Sequence, residues 1–324
     1  MKDSQTIRII DKEITRSLID FPSLIISAEK AYVAQVNGDA SPPQYINMSV
    51  GDNFVHYKAG YLKGSQYFTV KYSGGFWENG VTDDYGYVIV HSAQTGLPKI
   101  MFLDNGTITD YRTASAGAVA SKYCSREDST VVGMIGAGTQ ARLQIEALLY
   151  VRPRISKVQV WSRNETSVTS YLKVMQEKFP HITFIAKNTP EEAISGVDIV
   201  ITVTPSREPI VKPEWIMHGM HITAVGACAP YMQEHDPKVI AKSSRIFADS
   251  IEKCLTDGEL HHAINTKYIT KDQITGEIGS VISGKLKGRL TDNDITFVDL
   301  VGLGIQDATA AETLLKKLEK KDNS

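Results

Sequence analysis

Absent from this chain is any apolar run that could cross a bilayer, which takes about 20 consecutive apolar residues. A polybasic stripe is missing as well. The 35 Lys and Arg stand against 37 Asp and Glu, a formal net charge of -2 spread along the chain. Nothing is therefore arranged to neutralise a run of phosphates, and a nucleic-acid partner is not expected. Cysteine is scarce: Cys124, Cys228 and Cys254 lie at wide spacings, which supply neither a disulfide framework nor a CxxC metal site. Reduced thiols and no metal are the expectation. The opening MKDSQTIRIIDKEITRSLID lacks the apolar core and small-residue cleavage site of a signal peptide, so a cytosolic location without membrane association is expected. No internal repeat or low-complexity linker interrupts the chain.

What is present is 324 residues, 42% hydrophobic and 22% charged, enough for two cores of ordinary domain size. Up to about residue 105 the text predicts one opening helix, EITRSLIDFPSLIISAEKAYVAQVNG, and then strands such as QYFTVKYSG, YGYVIVHSA and PKIMFLD, separated by turn residues. Short connections between strands predict an antiparallel or mixed sheet. The segment TDYRTASAGAVASKYC then reads as a linking helix. From Thr130 the pattern changes to apolar strands alternating with amphipathic helices, the signature of a doubly wound parallel sheet. HITAVGA and RIFADS are predicted to extend that sheet.

The segment VVGMIGAGTQARLQI places Gly136 and Gly138 after an apolar strand and before a helix, with Ala141 at the third position of a G-x-G-x-x-G/A fingerprint. Gly136 permits the tight turn, Gly138 lets the backbone approach a pyrophosphate, and Ala141 lets the helix pack closely. Thr139 and Gln140 open the helix, whose free N–H groups suit an anion. After the second strand, KVQVW, an NAD-preferring site usually carries a carboxylate against the ribose 2′-hydroxyl. Here Ser162, Arg163 and Asn164 stand instead. An Arg can pair with a 2′-phosphate, so NADP(H) is favoured over NAD(H); a solvated surface Arg is the alternative. Thr202, Thr204 and Ser206 end a further predicted strand on the edge where such sheets bind their cofactor.

In VKYSGGFWENG, DNGTITDYRTASAGAVASKY, GMIGAGTQA, AVGACAP followed by QEHDP, FADSIEKCLTDGEL, and EIGSVISGK followed by ITFVDLVGLGIQDATAAE, the chain resembles the ornithine cyclodeaminase and mu-crystallin family, which includes alanine dehydrogenases and imino-acid reductases. The resemblance implies an α/β protein: an α+β N-terminal substrate and dimerisation domain, residues 1–125 completed by the C-terminal helix at 305–324, and a Rossmann domain over 126–304. It implies a homodimer built through the N-terminal sheet, and an active site in which the nicotinamide faces Lys71 and Arg112.

By that likeness Arg112 binds an α-carboxylate, a task suited to a guanidinium near a helix start; an ion pair with Asp104 or Asp110 is the structural alternative. Lys71 matches the lysine read as the family's acid–base group, and a lysine desolvated in a cleft exchanges protons near neutrality. His56 and Lys58, two apart on one predicted strand, share a face and could meet a substrate's side-chain carboxylate, or simply be solvated. Asn79 matches the family's Asn, where a turn role is simpler. Asp299 and Gly302 are expected at the nicotinamide pocket or the substrate amine, with helix capping by Asp299 as the alternative. Val225, Gly226 and Cys228 of AVGACAP are expected beside the cofactor. Cyclodeaminating members carry Asp where this chain has Cys228, and a thiol, with an ordinary pKa of about 8.5, is the poorer proton acceptor. The expected activity is therefore a single hydride transfer at the α-carbon of a small imino or amino acid. Ornithine cyclodeamination and NADPH-dependent ligand binding without turnover are the rivals.

Overall fold

The computed structural model describes residues 7–51, 53–76 and 85–323. The chain opens with β1 (Arg8–Asp11), α1 (Lys12–Leu18) and α2 (Phe21–Asn37), followed by β2 (Gln44–Val50), β3 (Asn53–Tyr61), β4 (Tyr67–Gly75), β5 (Tyr85–Ser92) and β6 (Pro98–Leu103). After α3 (Thr107–Cys124) come β7 (Val131–Ile135), α4 (Thr139–Val151), β8 (Lys157–Trp161), α5 (Glu165–Lys178), β9 (Thr183–Ala186), α6 (Pro190–Ile194), β10 (Ile199–Thr202) and β11 (His221–Ala224). The remainder is α7 (Pro237–Lys242), β12 (Arg245–Ala248), α8 (Ile251–Cys254), α9 (Gly258–Asn265), β13 (Gly276–Glu277), α10 (Ile278–Ile282), β14 (Thr296–Asp299) and α11 (Gly304–Asp322). Two compact units result: Met1–Arg112 with Leu303–Ser324, and Thr113–Gly302. The first break thus falls inside α3, whereas the sequence reading drew it after residue 125. No helix among the described residues is long and apolar enough to cross a membrane.

In the first unit the expected single opening helix is two. Asp20 is extended (φ -137°, ψ 147°) and its side chain accepts the Ser23 N–H at 2.8 Å, with Pro22 in the first turn of α2. An N-cap followed by proline starts a helix and so ends the one before it. The six strands run in the order β1-β6-β5-β4-β3-β2, with β1 parallel to β6 and the others antiparallel. The sheet is mixed, as the short connections predict.

Alternation gives this sheet two unlike faces. One carries Ile10, Val88, Val90, Ile100 and Phe102, which pack with Leu18 and Leu24 and with Leu314, Leu315 and Leu318 of α11. Lys71 is opposite Val88 and Lys58 is opposite Lys71 in the ladder, so both lysines belong to this covered face. The other face bears stacked Tyr72 and Tyr87, Tyr57 beside Tyr72, and the exposed Ile46 and Met48.

The second unit is an eight-stranded parallel sheet, β13-β12-β14-β11-β10-β7-β8-β9. Apolar clusters built around Ile222 and Phe297 on one side and Met134 and Val158 on the other make its strands nearly continuous in hydrophobicity, as burial on both faces requires. β14, in TFVDLVGLG, lies between β11 and β12 and adds a strand to those expected from the sequence.

Candidate active site

Two backbones meet where the first unit's polar residues gather. A Cβ on Gly60 would stand 2.2 Å from the Gly304 carbonyl oxygen, and one on Gly304 would stand 2.1 Å from the Ala59 oxygen. Only glycine allows such an approach, and it lays the first turn of α11 on β3. Asp307, one turn in, is brought down onto the covered face of the sheet. Its Oδ1 accepts the Arg112 Nε–H at 2.9 Å, and its Oδ2 lies 3.3 Å from Lys71 Nζ. All three side chains are buried.

Arg112 is aimed by the start of α3. The buried Asp104 carboxylate caps that helix by accepting the Ile108 N–H at 2.5 Å, and burial pushes Asp104 up to about 6. Among the described residues the carboxylate joined to Arg112 is Asp307. Burial drives the Lys71 pKa down to about 7, with Asp307 opposing and the charges of Arg112 and Lys58 assisting. Burial also acts to raise the Asp307 pKa, but Arg112, Lys71 and Lys58 outweigh it and hold the carboxyl below its ordinary range. The result is a carboxylate locked in its charged form between an Arg that cannot lose its proton and a Lys that can. Lys58 sits partly exposed across from Lys71, and the His56 Nδ1 lies 2.6 Å from Asn47 Oδ1. Asn79 lies outside the described residues.

Asp307 had no role in the sequence reading. A usable signal was there: Gly304, Asp307, Ala308 and Ala311 recur at the i, i+3, i+4, i+7 spacing of a buried helical stripe, so an acidic residue sits among small core residues and needs a cationic partner.

In the second unit the glycine turn follows β7 as the fingerprint requires. Gly136 has φ +120°, a Cβ there would press on Val203, and its N–H donates to the Trp161 carbonyl at 2.8 Å. Gly138 is the N-cap of the 13-residue α4 without any side-chain cap, and a Cβ there would meet nothing within 4 Å. Open space beside uncapped helix N–H groups fits a pyrophosphate. Gly138 and Thr139 are exposed, Gln140 is half-buried and Ala141 is fully buried.

At the end of β8, Ser162 is half-buried and Arg163 exposed, while Asn164 caps α5 by accepting the Ser167 N–H at 3.1 Å. Val225 and Gly226 donate to the Thr202 carbonyl, setting the segments after β10 and β11 side by side. Thr204 Oγ1 accepts the Ser206 N–H, and Cys228 is half-buried on the β11 segment. Asp299 is fully buried and accepts the Leu260 N–H at 2.9 Å, holding the first turn of α9; burial and then Glu259 push its pKa well up. It caps α9 rather than the helix that follows it in sequence. Gly302 donates to Asp249 Oδ2 at 2.7 Å. Among the described residues no group of three or more His, Cys, Asp or Glu is arranged to hold a metal ion.

The ornithine cyclodeaminase/mu-crystallin family matches residues 15–322. The chain belongs to that family. Among its relatives, an uncharacterized cyclodeaminase of Sinorhizobium fredii is 39% identical over 86% of this chain and 85% of its own. The alanine dehydrogenase of Archaeoglobus fulgidus is 31% identical over 97% and 96%. The structure of Thermococcus litoralis Δ1-pyrroline-2-carboxylate reductase in complex with NADH and L-proline superposes with a TM-score of 0.92, at 30% identity and 98% coverage of both chains. Family membership accounts for the mixed sheet, the parallel sheet and the closing C-terminal helix together.

Proposed function

We propose that the protein is an NAD(P)(H)-dependent oxidoreductase acting at the α-carbon of a small α-imino or α-amino acid. The observation that carries this reading is the buried Lys71, at a pKa of about 7, beside the Arg112–Asp307 pair. When bound, the nicotinamide would supply or accept the hydride. Arg112 clamps the substrate carboxylate: a guanidinium has five N–H donors, and Asp307 takes the one on Nε. Held in that way the guanidinium cannot swing, and a fixed anchor fixes the α-carbon. Lys71 as ammonium gives its proton to the nitrogen during imine reduction and takes it back during amine oxidation. The turn at Gly136 and Gly138 holds the dinucleotide. Asp299 serves this reading through α9, as a support for the second unit.

The relatives named above support the substrate class, a small amino or cyclic imino acid. They also bring NADH into consideration, because the superposed reductase carries it. Ser162 and the exposed Arg163 still favour a 2′-phosphate, so both cofactors are expected to be accepted. Arg163→Ala is expected to raise the KM for NADPH about tenfold, the order of one charge-assisted hydrogen bond, while the KM for NADH stays within about twofold. Initial-rate measurements with each cofactor check this.

The tyrosine-bearing face of the first sheet supports a homodimer, since Ile46 and Met48 expose apolar area that a second copy would cover. Light scattering is expected to give the mass of two chains.

The reaction itself is tested by a panel of α-keto acids with ammonia or primary amines, together with cyclic imines, scored by NADH and NADPH oxidation. Proline and ammonia from ornithine without net cofactor consumption would instead select cyclodeamination. Cofactor binding with no consumption by any member would select a binding protein.

A further inference from the structure

Behind the segments that end the central strands of the second unit lies a chain of buried carboxylates that the reaction does not use. Glu234, with no exposed surface, sits between β11 and α7. Its Oε1 accepts the Thr204 N–H at 2.6 Å and its Oε2 accepts the Gly226 N–H at 2.9 Å. One carboxylate therefore ties the segment after β10 to the segment after β11. The fit is close: a Cβ on Gly226 would lie 2.3 Å from the Thr204 oxygen and 2.6 Å from Glu234 Cδ.

Glu234 is itself held. Glu259, in the first turn of α9, accepts the Glu234 N–H at 2.6 Å and the His235 N–H at 3.2 Å. The next residue of α9, Leu260, donates to Asp299 at the end of β14. Three acidic side chains thus fasten β10, β11 and β14 at their carboxyl ends, the edge where a doubly wound sheet takes its ligand.

We propose that Glu234 is a positioning residue for the dinucleotide, its two carboxylate oxygens setting the separation of the Thr204 and Gly226 segments between which the cofactor is received. This rests on the dinucleotide reading above. The function needs a carboxylate in particular. A glutamine has one accepting oxygen and one amino group, so in its place one backbone N–H keeps its acceptor and the other faces a second donor. A buried N–H set against a donor moves away, and the segment moves with it.

The test is isothermal titration of the full chain with NADH, for wild type and Glu234→Gln, with thermal melting as the check on folding and the imino-acid KM as the check on the first unit. The expected result is a Kd for NADH raised about tenfold or more in Glu234→Gln, with the KM for the imino acid unchanged. Wild-type binding with an unchanged Kd in a folded Glu234→Gln would overturn this proposal alone, as would an equal rise in both constants, which marks a general loss of structure. No NADH binding by the wild type would overturn the dinucleotide reading as well. If Glu234→Gln does not fold, Glu259→Gln decides: it loosens Glu234 from one step farther back, and an unaltered NADH Kd there counts against the proposal.

Discussion

Replacing Asp307 by asparagine is expected to cost about 3–5 kcal/mol of stability, the usual range for removing one partner of a buried ion pair. The variant is also expected to carry its proton-dependent step at lower pH. Both effects come from the same geometry. Arg112 and Lys71 are buried against one carboxylate, and Arg112 cannot respond to its loss by giving up a proton. Lys71 can. Burial lowers its pKa and Asp307 raises it, so without Asp307 the value falls below about 7. At pH 6 the wild-type Lys71 is mostly charged and draws on Asp307, whereas at pH 8 it is mostly neutral and does not. The stability lost in Asp307→Asn is therefore larger at pH 6 than at pH 8. Urea denaturation at the two values measures the difference, and the pH profile of kcat/KM measures the displaced midpoint. A loss that is the same at both pH values would contradict a proton-exchanging lysine at this place.

Lys71→Met is expected to lower kcat by about 10²–10⁴-fold, the range for losing a positioned general acid or base. In the wild type the ammonium is the form that protonates the imine nitrogen. Reduction should therefore weaken as pH rises through about 7, and amine oxidation should weaken as pH falls through it. In Lys71→Met the inflection near that pH should vanish in both directions. Folding gives an independent reading with its own sign. The folded chain holds the Lys71 proton less tightly than the unfolded chain, because the pKa is lowered from 10.5 to about 7. Stability is thus lost as pH falls across that window, and below it the loss is constant. Methionine carries no such proton. The variant should exceed the wild type in stability at pH 7, by a margin that shrinks toward pH 10. Near-normal turnover in Lys71→Met with the inflection intact would remove Lys71 from the chemistry.

The parts of this molecule that could be read from sequence are those encoded by short, fixed spacings. Gly136, Gly138 and Ala141 stand at set intervals because a turn, an open approach and a close packing are needed within six residues. Lys71 and Arg112 are singled out by the motifs around them, and the first unit buries both against one carboxylate. Asp307 was not legible in that way. It pairs with Arg112 across a separation of 195 residues, and no local pattern encodes a contact that distant. Glu234 was hidden for another reason: its partners Thr204 and Gly226 follow two different strands, and their neighbourhood is set by the pairing of β10 with β11. Asp299 shows the converse. Its neighbourhood suggests a cap on the following helix, whereas its Oδ2 accepts the Leu260 N–H of α9, an element that precedes it in sequence. The two-helix opening was missed because the apolar periodicity runs on through Asp20, while one capping side chain and one proline suffice to divide it.

The close approach of Gly60 to Gly304 also bears on biosynthesis. The polypeptide is made from its amino end, and Lys71 and Arg112 leave the ribosome long before the counter-ion that α11 delivers. During elongation the sheet can pair its strands and receive Leu18 and Leu24 on its covered side, but the place that α11 fills stays empty. Completion of the first unit thus waits on the second one, and a nascent chain cut short before Gly304 would emerge unable to finish it.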